Sequence, residues 1–308
     1  MRIVTAGSAY IDVDAYAGCI AYAELLQKQG TEAQAVSTAT LNESISVTLR
    51  SWQAPLCMSY IPSKDDTYTL IDLSDPDYFD EIVDQNRVDE VIDHHPGLEE
   101  YWQERLGDGA HIEFIGAACT MVYERWKAAK LLDEMSILSV RLLICGILDN
   151  TLNFGAKVTS ERDIEAYDAL ISRADLPNDW TARYFMECQD AILGNVAVAI
   201  KNDTKILTFK TFDRPVCFGQ LVVWDAKQAL AEQQGVIREV LANIKSDWFM
   251  NLISVGERKS YFITDNTDVQ AWLTDLLGVQ FDNSIAVADR LWLRKEVIKK
   301  DIISDSSN

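Results

Sequence analysis

The stretch Val88-Asp89-Glu90-Val91-Ile92-Asp93-His94-His95-Pro96 decides how the first half of the chain is interpreted. Its apolar positions predict a short buried strand that ends in one carboxylate and two imidazoles. A lone histidine is usually structural. Two adjacent imidazoles beside an acid at a strand end instead suit metal ligation, with one residue supporting the others. The stretch therefore predicts a β-strand with a metal site at its carboxyl end.

Short apolar runs and helical patterns alternate on both sides of this stretch. Strands are predicted over 2–6, 33–37, 68–72 and 88–92, and helices over 15–29, 116–131, 135–147 and 160–172. Alternating strands and helices with tight connections are typical of a parallel sheet with helices on both faces. The first half of the chain is therefore predicted to be an α/β domain.

The pattern changes near residues 188–195, where a second domain is expected to begin. Strands are predicted over 205–209, 216–223, 249–255, 259–264 and 284–292, with helices over 227–244 and 269–277. These elements predict a smaller α/β domain with a mixed sheet. We expect domains at 1–188 and 189–308, and a disordered tail over 304–308.

Composition narrows the class of function. The 308 residues carry a formal net charge of −20, which disfavours binding to a nucleic-acid backbone. No run of 18 apolar residues predicts a membrane span, and the first residues do not resemble a secretory signal. Six cysteines without a C-x-x-C pair indicate thiols in a reducing compartment. We expect a cytoplasmic protein that acts on a small molecule. These features are also compatible with a homodimer.

Acidic residues recur at the ends of apolar runs. Asp12 and Asp14 follow the first strand, Asp72 ends a later strand, and Asp149 follows the apolar run 142–148. Residues at the carboxyl ends of parallel strands gather at one edge of a sheet, where ligands bind. Gathered with Asp93-His94-His95, these carboxylates would repel one another without divalent cations. Taken singly, such an acid is more often a helix cap or a turn residue than a metal ligand. His111 has no adjacent carboxylate and is interpreted as structural.

Seven segments carry a resemblance to a known family. In the first half they are 7–15, 70–74, 91–96, 115–120 and 146–154, and in the second half 203–205 and 293–295. In this order they resemble the DHH phosphoesterases, in the branch of manganese-dependent (family II) inorganic pyrophosphatases and short-chain exopolyphosphatases. The resemblance implies a DHH domain followed by a DHHA2-like domain. The glycine-rich G-G-G-H loop of the oligonucleotide-degrading branch is missing.

The resemblance also implies a reaction and a metal set. It implies hydrolysis of the phosphoanhydride bond of pyrophosphate or short polyphosphate by a water bridging two divalent ions. Asp12 would bind the first ion, and Asp14, His94 and Asp149 the second, while Asp72 would bridge both. Oxygen and imidazole ligands without thiolate suit Mn²⁺, and also Mg²⁺ or Co²⁺.

Other residues are assigned roles around the substrate by the same resemblance. His95 would contact the phosphate and Asp93 would orient the histidines. Lys205, Arg294 and Lys295 would bind phosphate from a second domain that closes over the site. Cations on a solvated strand edge are the plainer interpretation of those three residues.

Ser8 departs from the family pattern. Pyrophosphatases of this family have histidine at this position, and serine is a poor metal ligand. We therefore expect one weakened metal site and lower activity on pyrophosphate than on other substrates. Two alternatives follow: a phosphoesterase acting on a nucleotide or another small phosphorylated metabolite, and a non-catalytic relative that binds a phosphorylated ligand and regulates.

Overall fold

A computed structural model describes residues 1–305 of the chain. It divides into two compact units, residues 1–181 and 182–308. The division falls inside helix α7 (Trp180–Gly194), which also contains the boundary expected after Cys188. Each unit has its own sheet and its own core.

The first unit is built on a six-stranded sheet whose neighbouring strands are all parallel, in the order β3-β2-β1-β4-β5-β6. The strands are β1 (Arg2–Thr5), β2 (Ala33–Val36), β3 (Leu56–Cys57), β4 (Thr67–Ile71), β5 (Val88–Asp93) and β6 (Ala110–Ile112). The predicted parallel α/β fold is therefore confirmed. Sequence patterns missed β3 and β6, because two or three residues are too few to display a period.

Helices cover both faces of this sheet. The helices are α1 (Val13–Lys28), α2 (Val47–Ser51), α3 (Glu99–Leu106), α4 (Ala118–Ala128), α5 (Ile137–Asn150) and α6 (Glu161–Ile171). On one face α1 packs so closely that a Cβ at Gly18 would lie 2.6 Å from Ile71, so a larger residue there would force the helix away. On the other face Trp102 of α3 is fully buried against the strand residues Leu70 and Val91.

The second unit contains a mixed sheet in the order β11-β12-β10-β9-β8-β7, in which only β8 and β9 run parallel. The strands are β7 (Thr204–Leu207), β8 (Val216–Val223), β9 (Trp248–Ser254), β10 (Lys259–Ile263), β11 (Phe281–Asp282) and β12 (Ile285–Ala288). The helices are α8 (Val196–Asn202), α9 (Ala226–Ile244), α10 (Thr267–Leu277) and α11 (Arg294–Asp305). The predicted mixed α/β unit is confirmed.

The end of the chain differs from the prediction. The strand expected over 284–292 covers only Ile285–Ala288, and an unpredicted helix begins at Arg294. Glu296 promotes this helix start, because its carboxylate accepts the backbone N–H of Leu293 at 2.9 Å. Helix α11 continues through Asp305, so the first two residues of the predicted disordered tail are helical. Residues 306–308 of that tail lie outside the described residues.

Two further features concern the chain as a whole. Among residues 1–305, no helix has both the length and the apolar character needed to cross a bilayer. None of the six cysteines forms a disulfide in this part of the chain.

Candidate metal centre

The carboxyl ends of β4 and β5 bring the central acid and the histidine pair together. Asp72 follows β4, and its backbone N–H donates to the carbonyl of Ile92 on β5 at 2.9 Å. Its φ of +59° lies in the left-handed region, which a non-glycine residue occupies only at a cost of about 1–3 kcal/mol. The strained backbone turns the Asp72 carboxylate toward the residues that follow β5.

Three side chains form a compact cluster. One ligand atom from each of Asp72, His94 and His95 lies within 4.8 Å of the other two. The Nε2 atom of His94 is 3.1 Å from Oδ1 of Asp72, and Nδ1 of His95 is 3.7 Å from the same oxygen. His94 is buried and His95 is half exposed, so the cluster opens to solvent on the His95 side.

The backbone sets the orientation of His94. Its Nδ1 lies 3.0 Å from the carbonyl oxygen of Ile115, a hydrogen bond in which the ring nitrogen must donate. The Nε2 atom then carries the lone pair and faces Asp72. A histidine ligand held in this way by a carbonyl is the usual arrangement around protein-bound metals.

Asp93 is fully buried beneath the two histidines. Its Oδ1 accepts the backbone N–H groups of His94 at 2.7 Å and His95 at 3.2 Å, and the Nδ1–H of His95 at 2.9 Å. Burial works to raise the pKa of Asp93, but the hydrogen bond and charge of His95 outweigh burial and hold that pKa below its usual range. An ionised Asp93 therefore fixes the ring of His95.

Asp12 and Asp14 lie at the start of α1. Asp12 is the N-cap of the helix, since its Oδ1 accepts the backbone N–H of Ala15 at 3.0 Å. Burial and then the charge of Asp72 raise the pKa of Asp12 to about 6. The capping interpretation and the metal interpretation are thus compatible, because the cap engages one oxygen of the carboxylate.

Asp14 is fully buried against the start of α4. Its two oxygens accept the backbone N–H groups of Ala118 and Cys119, each at 2.8 Å. Oδ2 lies 3.9 Å from Nε2 of His94. Burial and then the charge of Asp72 raise the pKa of Asp14 to about 8. A second carboxylate is therefore held at the inner side of the cluster.

Asp149 differs from Asp72 and Asp93, because it lies on a helix and not at the end of a strand. It belongs to the last turn of α5, outside the three-residue cluster. Three residues earlier, a Cβ at Gly146 would lie 3.1 Å from Oδ1 of Asp14, so this face of α5 packs on Asp14. Residues three apart share a helix face, which places Asp149 on the side of α5 that meets α1.

Ser8 makes a backbone contact. Its hydroxyl donates to the carbonyl of Tyr78 at 3.2 Å, and its N–H donates to the same oxygen at 3.0 Å. The side chain is exposed. Serine at this position therefore anchors the loop before α1 to the segment after β4.

The donor set fits divalent metal ions. Carboxylate oxygens and imidazole nitrogens without thiolate suit hard and borderline divalent cations. The raised pKa values of Asp12 and Asp14 express the cost of placing several carboxylates together away from water. A divalent cation would supply the missing positive charge and restore the ionised forms.

One of the three cations assigned to phosphate binding, Arg294, pairs with Asp203. The guanidinium of Arg294 donates to the backbone carbonyl of Asp203 at 2.6 Å and pairs with its carboxylate at 2.7 Å. It also lies over the ring of Phe218, at 5.2 Å. Lys205 is exposed on β7, two residues after Asp203, and Lys295 is exposed on the first turn of α11.

Backbone groups of the segment 115–120 are the contacts that sequence reasoning missed. In the sequence this segment is visible only as part of a family motif. No side-chain pattern indicates that a carbonyl at Ile115 and amides at Ala118 and Cys119 contact His94 and Asp14. Asp163, which anchors this segment, appeared in the sequence only as part of a helix.

The fold and the site together define a class: α/β proteins with an acid–imidazole metal centre at the carboxyl edge of a parallel sheet. No family model matches the chain. Curated relatives named as probable manganese-dependent inorganic pyrophosphatases do match. The protein of Deinococcus radiodurans is 23% identical and spans 93% of both chains, and that of Bacillus pumilus is 26% identical over 79% of each.

Solved structures share the fold. A Methanococcus jannaschii protein assigned to the family II inorganic pyrophosphatases superposes with a TM-score of 0.67 at 17% identity, over 98% of this chain and all of its own. An exopolyphosphatase-related protein of Bacteroides fragilis gives a TM-score of 0.53 at 12% identity, over 99% of this chain and 92% of its own. In sequence the chain is similar to manganese-dependent inorganic pyrophosphatases, and it shares its two-unit fold with these two solved structures.

Proposed function

We propose that this chain is a divalent-metal-dependent phosphohydrolase that cleaves the phosphoanhydride bond of pyrophosphate or short-chain polyphosphate. The observation that carries the proposal is the cluster of Asp72, His94 and His95 at the carboxyl edge of the sheet, with Asp14 buried beside it. The names of the relatives support Mn²⁺ as the metal and pyrophosphate as a substrate. Residues 1–188 would be the DHH domain and residues 189–308 the DHHA2-like domain.

The proposed metal ligands divide between two ions. Asp12 would hold the first, and Asp14, His94 and Asp149 the second. Asp72 would serve both, which suits a carboxylate placed between β4 and β5 and 3.1 Å from His94. When bound there, divalent ions supply electrophilic activation of the phosphoryl group and of the attacking water.

His95 is proposed to act on the substrate. Its ring is the most exposed of the cluster, and Asp93 holds it through a 2.9 Å bond to Nδ1. The remaining nitrogen, Nε2, could then contact a phosphate oxygen and accept or return a proton there. Asp93 would fix the tautomer of His95 and would not itself exchange a proton.

Three cations of the second unit are proposed to bind phosphate. Arg294 can bind phosphate bidentately, whereas Lys205 and Lys295 act as point charges. Asp203 occupies the guanidinium of Arg294 through the 2.7 Å ion pair. A phosphate would therefore compete with this carboxylate for Arg294, which favours a multiply charged substrate over a monoanion.

The test is phosphate release by the purified chain with Mn²⁺. Pyrophosphate, tripolyphosphate and a nucleoside triphosphate should be compared, first in the wild type and then in Asp72→Ala. The variant is expected to lose at least roughly a hundredfold in kcat and to bind less Mn²⁺, since one carboxylate serves both ions. Asp65→Ala, at an exposed turn, is the matched control. Full activity and full metal content in Asp72→Ala would contradict the proposal.

One observation favours a second substrate class. Three exposed aromatic side chains follow strands at the carboxyl edge of the first sheet. Tyr10 (51% exposed) follows β1, Tyr78 (56%) ends a short 3₁₀ helix after β4, and Phe114 (64%) follows β6. Exposed aromatic rings can stack on a nucleobase, with about 1–3 kcal/mol for each base. Preferential release of phosphate from the nucleotide of the panel would favour a nucleotide phosphoesterase.

A further inference from the structure

The segment 115–120 contacts two of the proposed metal ligands through its backbone. The carbonyl of Ile115 accepts Nδ1–H of His94 at 3.0 Å. Three residues later the chain enters α4, where the N–H groups of Ala118 and Cys119 bind the two oxygens of Asp14 at 2.8 Å. One short segment therefore orients both an imidazole and a carboxylate of the metal centre.

Asp163, on α6, anchors this segment. Its Oδ2 accepts the backbone N–H of Gly116 at 3.2 Å, and its Oδ1 accepts the hydroxyl of Thr120 at 2.6 Å. Asp163, Gly116 and Thr120 are all buried. A Cβ at Gly116 would lie 2.5 Å from Oδ2 of Asp163, so only glycine allows this close approach.

The contacts of Asp163 exceed those needed to begin a helix. With Ser160 it forms a capping box, in which Oδ2 of Asp163 accepts the N–H of Ser160 at 2.7 Å and Oγ of Ser160 accepts the N–H of Asp163 at 3.4 Å. The hydroxyl of Ser160 also donates to the same Oδ2 at 2.8 Å. That box would satisfy the start of α6 alone. The bonds to Gly116 and Thr120 come from more than 40 residues away in sequence and stabilise a different segment.

We propose that Asp163 is a positioning residue of the metal centre, acting through Gly116 and Thr120 on the backbone that holds His94 and Asp14. The proposal rests on the metal-dependent function proposed above. When Asp163 is removed, the segment loses its two buried anchors, and both ligands lose their orientation at once. Partners of metal ligands typically contribute 10–100-fold to metal affinity, because the ligands are then held in the geometry that the ion requires.

Two pairs of variants separate positioning from general stability. Thr120→Val removes the hydroxyl bond to Asp163 at nearly constant shape, whereas Thr120→Ser keeps it. Asp163→Ala removes the whole anchor. Ser160→Ala is the matched control, because it removes the hydroxyl from the capping box and leaves the bonds to Gly116 and Thr120 in place. Its melting temperature should fall by roughly 2–4 °C.

The readouts are Mn²⁺ affinity by calorimetry on the metal-stripped, folded full-length chain and the melting temperature without metal. Thr120→Val should weaken Mn²⁺ binding roughly tenfold and Asp163→Ala at least as much, while Thr120→Ser and Ser160→Ala bind as the wild type does. Unchanged affinity in Thr120→Val, measured below its melting temperature, would overturn the positioning role. So would an equal loss in Ser160→Ala. A different result would overturn only the proposed function: the wild type binds Mn²⁺ but releases no phosphate, while Thr120→Val still binds Mn²⁺ more weakly than the wild type.

Discussion

Ser8 is the residue at which the chain departs from the pattern it otherwise follows. Its hydroxyl donates to the carbonyl of Tyr78, and a serine side chain has no nitrogen with which to bind the first ion. We predict two unequal Mn²⁺ affinities in the wild type, with the site of Asp12 the weaker. Ser8→His should tighten that site by roughly tenfold and raise the turnover of pyrophosphate, because it adds an imidazole ligand.

Calorimetric titration with Mn²⁺ measures both sites. Ser8→Ala is the control, because it removes the hydroxyl without adding a ligand and should bind metal as the wild type does. Two equally tight sites in the wild type, unaltered by Ser8→His, would show that residue 8 has no influence on coordination.

Asp12 and Asp14 predict how metal binding depends on pH. Their pKa values are raised from 3.8 to about 6 and about 8 without metal. The folded metal-free chain therefore holds protons that the unfolded chain releases. This contribution to stability is fully present below pH 3.8 and is lost as the pH rises through 6 and 8. Divalent ions need the ionised carboxylates, so Mn²⁺ affinity should rise from pH 6 to pH 8.

Proton release accompanies this rise in affinity. Calorimetry in two buffers of different ionisation enthalpy should show about one proton released per chain near pH 6–7, and fewer at pH 9. Asp14→Asn should reduce the release, since an amide carries no titrating proton. An affinity that stays constant from pH 6 to pH 8 would contradict the prediction.

At the scale of elements, the contact of α5 with α1 and α4 holds the inner side of the centre. A Cβ at Gly146 would lie 2.4 Å from Sγ of Cys119 and 3.1 Å from Oδ1 of Asp14. We predict that Gly146→Ala destabilises the chain by about 1–3 kcal/mol, because the packed helices must separate. Mn²⁺ binding should weaken as well, since Asp14 is displaced.

Urea unfolding measures the change in stability. Gly235→Ala is the matched control: Gly235 is exposed within α9, and a Cβ there meets nothing within 4 Å. It should stabilise the chain by about 0.5–1 kcal/mol, since alanine favours a helix. A stabilising Gly146→Ala would show that the helices are less tightly packed than their contacts indicate.

At the scale of the whole molecule, we propose that the first unit binds the metal ions and that cations of the second unit bind the phosphate. Arg294→Ala should raise KM and lower kcat together, by at least roughly tenfold in kcat/KM, because the contact is used in both binding and the transition state. Mn²⁺ affinity should not change. Lys299→Ala, exposed on α11, is the control. A wild-type kcat/KM in Arg294→Ala would remove this residue from the proposed site.

Sequence patterns predicted the first sheet well where strands were long enough to show a period. β5 and its Asp93-His94-His95 end were predicted within one residue, because apolar alternation and a cluster of ligand-type side chains both have local signatures. β6 carries His111 in only three residues, too few for a pattern. α11 begins beyond the strand expected over 284–292, and the carboxylate of Glu296, which accepts the backbone N–H of Leu293, supports its start.

The amino-acid sequence by itself determined the fold class, the two-unit organisation and the identity of the acids and histidines, because these follow from local periodicity and from motifs in a fixed order. Only the tertiary structure decided how those side chains are held. Asp149 reaches the region from a helix, and the segment 115–120 binds His94 and Asp14 through backbone groups that every residue possesses. Such contacts join residues about 20 to 100 positions apart. Nearly every residue has the same backbone carbonyl and amide, so these contacts cannot be identified from residue types in a single sequence.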